Sequence, residues 1–294
     1  MKAETAVNKK KSAFRINSKT KTIRKLIDIF LKLLKFDGSK FVWNEFVQRL
    51  NCYTFYNFNS SKIWFKTGHG RLLWRAESFS YEEKLMVKWL DTFRDDDIFF
   101  DIGANVGIYS LAAATKCRHV YAFEPVYQNL AILEENVVRN NLESKITIVP
   151  LPLSDANSLI KIRHRSLGKS ECNQLFGVEN HGLDIDSRFD ASSDEIPYVL
   201  NHLTASLDEL VQVYDMPMPT KLKLDVDGCE QYVLKGAANV LKASTLKSAY
   251  FEDNTNEGEG IFEKFFKKEG FVITDKVKLN HEVFKGSNVL VQRS

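Results

Sequence analysis

Beyond Asp95 the chain alternates two kinds of hydrophobic pattern. Compact apolar runs at Ile98–Asp101, His119–Phe123, Lys145–Pro150, Lys221–Asp225 and Ser248–Glu252 predict strands, as do Gly270–Thr274 and Asn288–Val291. Between them, Ile108–Thr115, Gln128–Asn140, Leu207–Val213, Glu230–Leu241 and Ile261–Lys268 space their apolar residues three and four apart, as a helix with one buried stripe does. Strands separated by single helices mean βαβ units and a mostly parallel sheet. The stretch 156–204 breaks the rhythm. It is long, polar and rich in turn residues, and is expected to be a substrate-side insertion without a readable motif.

The first ninety residues follow other patterns. Residues 1–20 are polar and basic, the composition of a disordered arm. From Thr22, Ile23, Leu26, Ile27, Phe30, Leu33 and Leu34 fall on one face of a predicted amphipathic helix. Asn51–Phe58 and Lys62–Thr67 read as strands around a turn at Asn59–Ser61, and Tyr81–Leu90 as a helix. The expected organisation is an arm at 1–20, an N-terminal extension at 21–90 and a main α/β domain at 91–294.

Charge changes this picture in one place. Residues 1–40 hold twelve Lys or Arg against three acids, while the whole chain of 294 residues carries only +3. The body is therefore mildly acidic and gives no sign of a nucleic-acid partner. The basic amphipathic helix has two readings: docking on its own protein or a second subunit, or peripheral membrane contact through residues 1–35. The apolar run at Ile27–Leu34 contains Lys32 and is too short to span a bilayer, so a cytoplasmic protein is expected, with the inner membrane surface as the alternative. Cys52, Cys117, Cys172 and Cys229 form no CxxC pair and read as free thiols.

The candidate chemistry begins at DIGANVG, where the first sheet strand runs into the first helix. Gly103 and Gly107 allow a tight turn and close backbone approach, but their spacing is not the G-x-G-x-x-G that seats a pyrophosphate. Glu124 ends the second strand 23 residues after Asp101, where an acid can bond ribose hydroxyls. Loop, acid and strand rhythm together point to an adenosine-containing ligand, NAD or S-adenosylmethionine, and the glycine spacing favours the second. A second acidic strand end follows at KLKLDVDGCE, with Asp225, Asp227, Gly228 and Glu230, and a third at Glu252 and Asp253. Carboxylates there can steady a sulfonium or take an acceptor's proton. Asp225, Asp227 and Glu252 are also a candidate set for a divalent cation.

DIGANVGIYS, YAFEP, the L-D-E-L of Leu207, Asp208, Glu209 and Leu210, and KLDVDGCEQYVLKGA together resemble the FkbM family of S-adenosylmethionine-dependent methyltransferases. The resemblance covers roughly residues 75–294. It implies a doubly wound, mostly parallel seven-stranded sheet of the Rossmann-like class I type. It also implies methylation of a hydroxyl on a sugar, glycan or natural-product acceptor. Carried over, Asp101, Gly103, Ala104, Asn105 and Gly107 form the methionine-side loop, Glu124 holds the ribose and Asp155 reaches the adenine amine. Asp225, Asp227 and Glu230 sit where methyl group and acceptor meet. The family commonly has Glu where this chain has Asp227, so the carboxylate stands on a shorter arm. His164 and His202 are further candidates for the base. The runner-up is an NAD-dependent sugar dehydrogenase or epimerase, which the missing dinucleotide spacing opposes.

Overall fold

The computed structural model describes residues 53–67, 72–73, 76–77, 79, 84–164, 175–178, 198–226, 228–253, 260–280 and 285–294. The basic arm, the helix expected at Ile23–Leu34, Asp227, Cys52, Cys172 and the side chain of His164 lie outside them.

A hairpin of β1 (Tyr53–Phe58) and β2 (Ser61–Lys66) comes first, then helix α1 (Lys84–Asp91). The alternating part follows as β3 (Ile98–Ile102), α2 (Ile108–Ala114), β4 (His119–Phe123), α3 (Tyr127–Arg139) and β5 (Ile146–Val149). After an intervening stretch come α4 (Leu207–Val213), β9 (Lys221–Leu224), α5 (Glu230–Lys235), α6 (Ala238–Lys242), β10 (Ser248–Asp253), α7 (Ile261–Lys268), β11 (Phe271–Asn280) and β12 (Lys285–Arg293). Seven of these strands form one sheet in the order β11-β12-β10-β9-β3-β4-β5. The pairs β10–β9, β9–β3, β3–β4 and β4–β5 are parallel, and β12 runs antiparallel to both its neighbours. This is the doubly wound, mostly parallel seven-stranded sheet that the resemblance implies.

Helices cover both faces, which is why the central strands read as continuous apolar runs. Every residue of β3 and β9 is buried. Phe99, Val120 and Ala122 share one face with Trp89, Leu111, Leu133 and the hairpin residues Tyr56 and Phe65. Phe100, Phe123, Leu222, Leu224 and Phe251 pack on the other, against Leu210, Val233, Leu241 and Phe266. The chain runs outward from β3 to β4 and β5, then returns to place β9 on the other side of β3. The order therefore switches between β3 and β9, and the crevice at the carboxyl ends of these strands is the place for a ligand.

Three elements differ from the sequence expectation, each for a local reason. The helix expected over Glu230–Leu241 is two helices, because Gly236 is pressed onto the chain: a Cβ there would lie 2.0 Å from the Ser154 carbonyl oxygen. The Gly236 carbonyl accepts from Asp208 N at 2.9 Å, and the Asp208 carboxylate starts α6 by accepting from Asn239 N and Val240 N. β11 and β12 are longer than their apolar cores because they pair as an antiparallel hairpin whose second face meets solvent. Finally, the polar stretch 156–204 contains a three-stranded antiparallel sheet, β7-β6-β8, from β6 (Leu159–His164), β7 (Leu175–Val178) and β8 (Tyr198–Leu203). Ile160 and Ile162 are buried on one face of it, beside Cys229, while Leu159 and Leu203 are exposed. Alternation of that kind hides a strand from a search for apolar runs.

The N-terminal hairpin supports the crevice from behind. Tyr56 OH donates to Ile108 O at 2.7 Å, at the start of α2. Asn136, wholly buried on α3, accepts from Lys66 N at 2.8 Å and donates to Val106 O at 2.9 Å. Among the described residues, no helix is long and apolar enough to cross a membrane.

Candidate active site

The loop after β3 makes its turn with three left-handed residues in five: Gly103 (φ 79°), Asn105 (φ 54°) and Gly107 (φ 88°). Only glycine adopts that conformation freely, and Gly103 has a second reason to be glycine. A Cβ there would come within 1.8 Å of the Asp225 carbonyl oxygen, so the loop lies directly on the end of β9. The loop spends its amides on the chain itself. Gly103 N and Ala104 N both donate to Phe123 O, at 3.0 and 2.9 Å, and Gly107 N donates to Ala104 O at 2.9 Å. Asn105 N donates to Glu124 Oε2 at 2.8 Å. Amides turned inward in this way do not form the nest that grips a pyrophosphate, and this geometry weighs against the dinucleotide reading.

Glu124 stands at the end of β4 and is 4% exposed. Its Oε1 accepts from Val126 N at 2.9 Å and Asn129 Nδ2 at 3.2 Å. Burial pushes its carboxyl up to about 7, against the pull of the Val126, Asn129 and Asn105 donors and the Lys223 charge. The folded chain then holds this proton more tightly than the unfolded chain. The stability it contributes is fully present below the ordinary carboxylate range and is lost as pH rises through about 7. We expect the ligand-free protein to lose on the order of 3 kcal/mol relative to Glu124→Gln between pH 5 and pH 8. Thermal unfolding of both proteins across that range checks this; parallel pH profiles would refute it.

Asp101 and Lys223 form the floor. They are register partners on β3 and β9, and their side chains are 0% and 1% exposed. Lys223 Nζ lies 3.2 Å from Asp101 Oδ1 and 3.4 Å from Asp225 Oδ2, and donates to Gly103 O at 3.0 Å. Burial disfavours its charge, but the Asp101 and Asp225 carboxylates outweigh that and hold the ammonium above the usual lysine range. Ser110 Oγ donates to Asp101 Oδ2 at 2.5 Å. Asp225 is the member that reaches the crevice, with its side chain 38% exposed. Glu230, 4% exposed at the start of α5, accepts from Gly228 N at 3.0 Å and Val226 N at 3.4 Å. It braces the turn after Asp225, and burial raises its carboxyl.

The structure thus brings Asp101, Gly103, Ala104, Asn105, Gly107, Glu124, Asp225 and Glu230 to the carboxyl end of β3, β4 and β9. Asp155 is exposed in the loop after β5, and Asp227 lies outside the described residues. His202, 6% exposed on β8, stacks on Tyr127 with ring centroids 6.0 Å apart, and burial lowers its imidazole. Gln128 Nε2 donates to Tyr198 OH at 3.2 Å, so β8 is fastened to the start of α3. Among the described residues, no three His, Cys, Asp or Glu side chains are grouped to hold a metal ion. Lys223 escaped the sequence reading, although K-L-K-L carries a signal: in a strand buried on both faces, its lysines need acids in register.

The site also fits the methionine–adenosine ligand. Among the described residues, no donor reaches the buried side-chain oxygen of Asn105, at the centre of the glycine loop and beside the Glu124 carboxylate. A hydroxyl or an ammonium would satisfy it. On the far side, a Cβ at Gly228 would meet nothing within 4 Å among the described residues.

A family model described as the methyltransferase FkbM domain matches residues 101–273, more than half of the chain. The hexuronic acid methyltransferase AglP of Haloferax volcanii is 28% identical over 173 residues, which are 58% of this chain and 62% of that protein. The chain thus spans less than two thirds of this relative's length. Among solved structures, a methyltransferase FkbM from Methylobacillus flagellatus superposes with a TM-score of 0.45 at 14% identity, covering 67% of this chain and 44% of its own. A putative methyltransferase from Streptococcus mutans, in complex with SAH, gives 0.43 at 10% identity, covering 72% and 97%.

Proposed function

The chain belongs to the FkbM methyltransferase domain family, and on that premise we propose that it is an S-adenosylmethionine-dependent methyltransferase acting on an oxygen of a sugar. The observation that carries the reading is the pairing of Glu124 with Asn105: a buried carboxylate at a strand end, beside a buried acceptor in a loop whose amides are turned inward. Glu124 binds the ribose hydroxyls, Asn105 and the turn at Gly103, Ala104 and Gly107 hold the methionine end, and Asp155 lies toward the adenine. Ser110 and Lys223 keep Asp101 beneath the loop as its anchor.

When bound, the donor supplies a methyl group already activated on a sulfonium, so positioning is the main task of the protein. Asp225, the exposed carboxylate of the floor, takes the proton from the acceptor hydroxyl. Glu230 keeps the turn through Val226 and Gly228 in place, and Asp227, which follows Val226 in the sequence, is a second candidate carboxylate for the acceptor. The inserted sheet β7-β6-β8 walls the acceptor side through Ile160, Ile162 and His202.

AglP acts on a hexuronic acid by its name, and this makes uronic acids and their glycosides the first acceptors to test. Incubation with S-adenosylmethionine and panels of uronic acids, neutral sugars and hydroxylated metabolites, read by mass spectrometry, is expected to give a mass gain of one methyl group on a sugar. Parallel assays with a chelator test whether a divalent cation takes part. A protein that binds no S-adenosylhomocysteine and methylates none of these compounds would end this reading.

A further inference from the structure

Two carboxylates share one ammonium at the end of β9, and they do so unequally. Asp101 is fully buried: Ser110 donates to its Oδ2 at 2.5 Å, and among the described residues its Oδ1 has no hydrogen bond and is met only by the Lys223 charge, at 3.2 Å. Asp225 is 38% exposed and stands 3.4 Å from the same Nζ. An uncompensated carboxylate at the depth of Asp101 is costly, so the ammonium belongs first to Asp101. The cluster of two acids and one cation keeps one negative charge in excess, and that excess surfaces at Asp225. Its place is defined: Lys223 also donates to the Gly103 carbonyl, and Gly103 is pressed onto the Asp225 carbonyl, so the charge is locked beside the glycine loop.

We propose that Lys223 sets the donor selectivity of the site: by neutralising Asp101 and fixing Asp225, it leaves one negative charge beside the loop, so that the chain prefers the cationic sulfonium donor to its neutral thioether product. The inference rests on the methyltransferase reading. The two ligands differ by one methyl group and one positive charge at sulfur. A fixed carboxylate in a partly desolvated crevice attracts the first and is indifferent to the second. The consequence is release of spent product in favour of fresh donor, without any moving part.

The test is the ratio of dissociation constants for S-adenosylhomocysteine and S-adenosylmethionine, measured by calorimetry on the full chain. In the wild type the donor is expected to bind about tenfold more tightly than the product. Asp225→Asn removes the excess charge and should bring the ratio to about one. Lys223→Met removes the cation and frees the Gly103 carbonyl. It should weaken the product more than the donor and raise the ratio by at least about threefold. Lys223→Arg keeps the charge and should keep the ratio. Opposite movements of one ratio are a signature that loosened packing does not give, since packing loss weakens both ligands alike. Equal weakening in Asp225→Asn overturns the inference, as does equal weakening in Lys223→Met. If Lys223→Met does not fold, Asp225→Asn and Lys223→Arg decide the question. A wild type that binds neither ligand overturns the methyltransferase reading itself; one that binds both, with the ratio unmoved in Asp225→Asn and in Lys223→Met, overturns the inference alone.

Discussion

Glu124→Ala is expected to weaken S-adenosylhomocysteine binding by at least roughly a hundredfold, to below calorimetric detection. Two ribose hydroxyls bonded to a carboxylate are worth about 1.5 kcal/mol each at the low end, and together that is the hundredfold. The loop also suffers. Asn105 N and Val126 N both lose the acceptor that holds them, at 2.8 and 2.9 Å, and a buried amide without a partner costs about 1–3 kcal/mol. Glu124→Gln separates the two effects, because it keeps the shape and an acceptor oxygen while losing the charge. Its affinity should fall about tenfold, with no pH dependence of its own. The wild type should bind more tightly as pH rises from about 6 to about 8, since burial holds the carboxyl up to about 7 and the bonded hydroxyls favour the ionised form. Unchanged affinity in Glu124→Ala would remove the ribose assignment.

Gly103→Ala should destabilise the fold by about 3 kcal/mol or more and abolish S-adenosylhomocysteine binding with it. Two penalties act on one atom. The backbone at φ 79° costs a residue with a Cβ about 1 kcal/mol. The Cβ also falls 1.8 Å from the Asp225 carbonyl oxygen, which is main chain and cannot rotate away. Relief requires β3 and β9 to part at their carboxyl ends, where Lys223 ties them. Gly228→Ala is the matched control: its φ of 97° carries comparable strain, and its Cβ meets nothing within 4 Å among the described residues. Denaturant unfolding of the two variants measures the difference, and equal losses would mean that close approach is not what Gly103 serves.

Much of the fold was legible because parallel strands buried on both faces leave strong apolar runs. Ile98–Ile102, His119–Phe123 and Ser248–Asp253 appear within a residue of where periodicity puts them. The strands of the insertion were not legible. Along β6, buried Ile160 and Ile162 alternate with exposed Leu159 and Lys161, and flanking polar turns mask so short an alternation. The break at Gly236 was also hidden, because its cause is the Ser154 carbonyl, more than eighty residues away in the chain.

For the candidate site, the sequence by itself determined which residue types meet at the carboxyl ends of three strands. A glycine turn, an acid after β4 and an acid after β9 are all local features of strand ends, and the βαβ rhythm brings strand ends together. Tertiary structure alone decided what each acid does, because charge and burial depend on neighbours from other strands. Register between β3 and β9 set Lys223 against Asp101 and turned the first acid of the motif into a buried anchor. It left Asp225 as the carboxylate that reaches the crevice, and the main chain of its own turn bound Glu230 as a brace. Spacing along a chain assigns residues to a site; the cost of burying a charge without its partner assigns them their roles.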